Sequence, residues 1–181
     1  MYSDNDIKIA GDKPSLDIKK NREKQVVENN LDEAQIAKAK AWGREVALNF
    51  IEDARTSAED GNMAVNGELL IQRRMLLSFT ATVGFEQLGG NDALSGVAQK
   101  SFIDTIKKTD SELYRASGDT GAYSFYYLAF RRGSEVDRRI GQTFAMLCSH
   151  DGDPIFQELG EALYCWFLSV VTKKAEETGI I

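Results

Sequence analysis

The stretch DPIFQELGEALYCWFLSVV, residues 153–171, decides the fold class. Asp153 ahead of Pro154 reads as a helix start. The carboxylate can accept from a free amide of the first turn, and the proline ring fixes a φ that suits the first helical position. Behind them Ile155, Phe156, Leu159, Ala162, Leu163, Trp166, Phe167, Val170 and Val171 recur at spacings of three and four, the period of a helix with a buried face. The helix is predicted to run to Thr178, with Gly179 as its stop. It carries what reads as the strongest amphipathic pattern in the chain.

Upstream of it the same period recurs. Ser149-His150-Asp151-Gly152 is a turn. A helix is predicted over 135–148, with Ser134 as its N-cap and an acidic Asp137 three residues on. Gly133-Ser134 separates it from a helix over 122–132. Ser111 to Ala116 reads as a short helical turn ahead of Gly118-Asp119-Thr120-Gly121. Asn91 or Asp92 caps a helix to about Lys108, with the stripe Leu94, Val97, Ala98, Phe102 and Ile106. The helix over 67–88 is apolar on more than one face and is expected at the centre. Gly61-Asn62 parts it from a first helix over 32–58, where Ala39, Gly43 and Ala47 let a neighbour approach closely.

No segment alternates with period two for long, and Pro14 and Pro154 both fall outside helix interiors. The expected fold is all-α: a compact single-domain bundle of about six helices over residues 31–181. Residues 1–30 carry six acids, six cations and no apolar period, and are expected to form a flexible charged tail.

Charge and composition narrow the function. Lys and Arg number 22 against 28 acids, for a net −6, so a dedicated nucleic-acid binder is not expected. Cys148 and Cys165 are too few for a disulfide scaffold or a thiolate zinc site. The most apolar run, 162–171, is about half of the ~20 residues that span a bilayer. With no secretory leader at MYSDNDIKIAGDK and two free thiols, the expected location is cytoplasmic.

One histidine, His150, removes whole classes of chemistry. Ferritin-like di-iron bundles and zincins each need at least two. Cys148 and His150 stand two apart in a turn, too close for a nucleophile, a base and an orienting group to align. Asp151-Gly152-Asp153 fails as a calcium loop, because its fifth position is Ile155 and its twelfth Ala162. Glu158 and Glu161, i and i+3 on the last helix, form a weak metal alternative, with Glu52-Asp53 of the first helix as further acids. No cofactor is expected.

The most distinctive segment is 123–132, YSFYYLAFRR, followed by Arg138 and Arg139. Tyr123, Tyr127 and Phe130 are predicted to share a face, with Phe125 and Tyr126 pointing elsewhere. Aromatics beside arginines are the composition of interface anchors, and Tyr123, Tyr126, Tyr127, Arg131, Arg132, Arg138 and Arg139 are the candidate binding residues. Trp42, among Lys38, Lys40 and Arg44, is a second possible anchor. The expected function is a non-enzymatic protein-interaction module, an accessory subunit or regulator, whose partner is another protein or a second copy. The alternative is a Mg²⁺-dependent helical enzyme on phosphorylated or nucleotide substrates. The third is a nucleic-acid-binding subunit using 131–139.

Overall fold

The computed structural model describes residues 31–59, 67–116 and 120–181, and among these every regular element is a helix. They are α1 (Glu33–Glu59), α2 (Gly67–Leu88), α3 (Asp92–Thr109), α4 (Ser111–Ala116), α5 (Thr120–Arg131), α6 (Val136–Leu147) and α7 (Pro154–Thr178). Residues 32–181 form one compact unit. The tail expected over 1–30, the break at Gly61-Asn62 and residues 117–119 lie outside the described residues. The short turn at 111–116 is a helix in its own right. Thr120 and Gly121, read as connection, belong to the first turn of α5.

Local chemistry sets the helix ends. Asn91 caps α3 by accepting from the Leu94 amide at 2.9 Å, and Asp153 caps α7 by accepting from Ile155 at 2.9 Å. Gly179 closes α7 at φ 70°. The start of α6 differs from expectation. Gly133 reverses the chain at φ 77°, and Glu135, at φ 48°, takes the cap position without a side-chain cap. Ser134 therefore falls one residue too early, and its hydroxyl is taken by Arg139 at 3.3 Å.

As expected, α2 is central: it touches α1, α3, α5, α6 and α7. α1 lies antiparallel to α3, with Ser101 Oγ donating to the Lys40 carbonyl at 2.7 Å. The pair crosses so closely at Gly43 that a Cβ there would collide with the Ala98 carbonyl. α1 also runs antiparallel to α7. Trp42 is wholly buried rather than a surface anchor, and its Nε1 donates to the Val171 carbonyl at 2.9 Å. Trp42, Phe85, Phe102, Phe50 and Phe167 form a continuous run of ring contacts joining α1, α2, α3 and α7.

α7 is less one-sided than its sequence suggests, and α6 is the sharper amphipath. Ile155 is 73% exposed and Trp166 about half exposed, whereas α6 buries Ile140, Gly141, Phe144 and Ala145 along one edge. The cause is length. Over 25 residues α7 packs against α6 first and then against α1 and α2, so its buried side changes along the axis.

Candidate functional site

The aromatic segment folds as α5, leaning on α2 and α6. Its inward stripe is Ala122, Tyr126 and Ala129, at i, i+4 and i+7, flanked by Tyr123 and Phe130. This corrects the expected grouping of Tyr123, Tyr127 and Phe130. The two alanines complete a stripe that counting aromatics alone misses. Tyr126 is 0% exposed and stacks on Phe79 at 5.4 Å, with Tyr123 and Phe130 edge-on to the same ring.

Two of the three candidate tyrosines are thus structural. Tyr123 shares hydrogen bonds with Ser78 at 3.2 Å and Thr82 at 3.0 Å, and Gln99 of α3 reaches Thr82 at 3.5 Å. Burial pushes its hydroxyl above the ordinary tyrosine range, against the lowering effect of those two bonds. Tyr126 is raised well above that range by burial and then by Cys148 nearby, and its OH has no hydrogen-bond partner among the described residues.

Three large apolar side chains of α5 stay exposed around the half of the helix turned from the core, interleaved with Ser124, Arg131 and Arg132. Phe125 is 49% exposed, Tyr127 43% and Leu128 62%. Arg131 lies over the Tyr127 ring at 5.7 Å, and Arg132 is exposed beside it. Phe125 and Leu128, which the sequence reading left outside the candidate set, belong to this face. Phe125 borders the stripe, one turn from both Ala122 and Ala129, and Leu128, one turn further on, is rotated away from it toward solvent. Arg138 and Arg139 sit on a different helix, α6. Arg138 pairs with Glu135 at 3.4 Å and Arg139 holds Ser134, so both serve the turn between α5 and α6.

The carboxylates of the metal alternative are dispersed in role. Asp53 is gripped by Arg73 through Nε at 3.0 Å and Nη2 at 2.5 Å, in a pair whose side chains are nearly buried. Glu52 and Glu158 face solvent and Glu161 is half-buried on α7. Among the described residues no three His, Cys, Asp or Glu side chains cluster closely enough to hold a metal ion.

The Cys148–His150 turn holds no activated nucleophile. Burial, and secondarily Glu68, push the Cys148 thiol up to about 12, the reverse of the depression a reactive thiolate needs. His150 stacks flat on Phe156 at 3.7 Å, with its Nδ1 4.0 Å from the Asp153 carboxylate. Because the folded state holds the Cys148 proton, that preference is fully present below the free thiol's range and is lost as pH rises toward 12. Iodoacetamide at about pH 8 is expected to modify exposed Cys165 and spare Cys148 in the native protein, read by intact mass. Equal labelling of both would show that the α6 terminus opens readily.

Among the described residues no helix is long and apolar enough to cross a membrane. Compared with known proteins, the chain matches no family model, no curated protein and no solved structure.

Proposed function

We propose that this chain is an intracellular protein-interaction module that binds a partner protein through the outer face of α5. The observation that carries this reading is the exposure of Phe125, Tyr127 and Leu128 within four residues, with Arg131 laid over Tyr127. Three large apolar side chains on one short helix cost solubility and add nothing to the core, which Ala122, Tyr126 and Ala129 already serve. Aromatic and arginine anchors at the middle of a face are the composition of interface hot spots. The two free thiols agree with a reducing compartment.

The test is affinity capture from source-cell lysate, treated with nuclease, comparing the native sequence with Tyr127→Ala and Leu128→Ser. Both substitutions fall on exposed positions, so stability is expected to stay within about 0.5 kcal/mol. A protein retained by the native chain and lost with either variant supports the reading. Identical capture by all three, or capture that disappears with nuclease, refutes it.

A further inference from the structure

A second surface lies on α1 and α3. Between α1 and α3 runs an open groove of about 470 Å³, two turns long on each helix. Its floor is small, with Ala37 and Ala41 on one side and Ser101 and Thr105 on the other. Both hydroxyls are turned to backbone carbonyls, Ser101 to Lys40 at 2.7 Å and Thr105 to Ser101 at 2.7 Å. The floor therefore offers methyl and methylene surface rather than free donors.

The rim is strongly basic. Lys40 and Arg44 stand on the α1 wall and Lys100 and Lys108 on the α3 wall, with Asp104 as the single acid. Four cations less one carboxylate leave +3, and since residues 31–181 total −6, the remainder of that region holds −9. Lys108, in the last turn of α3, is also favoured by the helix dipole, but Lys40, Arg44 and Lys100 lie away from any helix C-terminus and have no such reason. Asp104 answers Lys100 at 2.9 Å and Glu45 answers Arg44 at 3.1 Å, whereas Lys40 and Lys108 make no ion pair among the described residues.

We propose that the α1/α3 groove binds an acidic peptide segment of another protein. The charge complementarity is set by the rim, and the shape by a trough about 12 Å long, the rise from Lys100 to Lys108. That length suits a segment presenting two or three carboxylates over about two helical turns, with small apolar residues toward Ala37 and Ala41. A compact phosphate ligand fits less well. Such ligands are usually cradled by free backbone amides at a helix N-terminus, and both walls here are helix interiors whose amides are already used.

The probe is a fluorescein-labelled glutamate–alanine peptide of about a dozen residues, followed by anisotropy at low and moderate salt. Saturable binding that weakens with salt is expected. Lys40→Glu/Lys108→Glu is expected to lower affinity about tenfold or more, while Arg55→Glu/Lys173→Glu, with the same change in net charge elsewhere, leaves it within about twofold. All four positions are exposed, so both variants are expected to melt close to the native chain, which a thermal melt checks. Equal loss in the two variants shows diffuse attraction and overturns the proposal, as does the absence of saturable binding. Inorganic tripolyphosphate binding where the peptide does not also overturns it, in favour of a phosphate ligand.

Discussion

Trp42→Ala is expected to destabilise the domain by about 3–5 kcal/mol, enough to lower its melting temperature by roughly 6–20 °C. The indole is wholly buried, meets Phe85 edge-on at 4.8 Å and donates to Val171 at 2.9 Å. Alanine removes the ring volume and the donor together. Trp42→Phe separates them, because it keeps most of the volume and loses the donor. Its cost should be near 1 kcal/mol, since the Val171 carbonyl stays in the α7 ladder. Scanning calorimetry or a urea titration distinguishes the cases. A Trp42→Ala protein that melts within about 2 °C of the native chain would mean that the α1–α7 packing described above does not hold in solution.

Arg73→Leu should be comparably severe, at about 3–5 kcal/mol, for an electrostatic reason. It leaves the Asp53 carboxylate in a nearly dry site between α1 and α2 with no cation to answer it. Arg73 also lies over the Trp166 ring at 5.9 Å, so the substitution strips one face of that indole as well. The double variant Asp53→Leu/Arg73→Leu removes both charges and is expected to recover a large part of the loss. Urea midpoints of the two single variants, the double variant and the native chain complete the cycle. Additive losses across it would show that the two side chains act independently and that the pair contributes nothing of its own.

Much of the fold could be read from the sequence because its punctuation is local. Asn91, Asp153 with Pro154, and Gly179 each act on the first or last turn beside them, so their chemistry shows within four residues. The central place of α2 was also legible, since apolar residues on several faces leave no side to give to water. The orientation of α5 was harder, because a helix with five aromatics in eight residues has two candidate stripes. Ala122 and Ala129 decide between them, and alanine carries little weight in a hydrophobic tally. Tyr126, a candidate binding residue by composition, is therefore core, and Leu128, outside the candidate set, is exposed. The basic groove was invisible for a different reason. Lys40 and Lys108 are far apart in the chain, and only the antiparallel contact of α1 with α3 brings them to one trough.

The hydrogen bond from Trp42 to Val171 also has a temporal side. Its partners are 129 positions apart, so at translation rates of 5–20 residues per second the donor waits roughly 6 to 26 s for its acceptor. During that interval Trp42 and Phe50 lack the α7 surface that covers them in the finished protein. The nascent chain thus carries a sticky helix for seconds, long enough for a holdase to engage it.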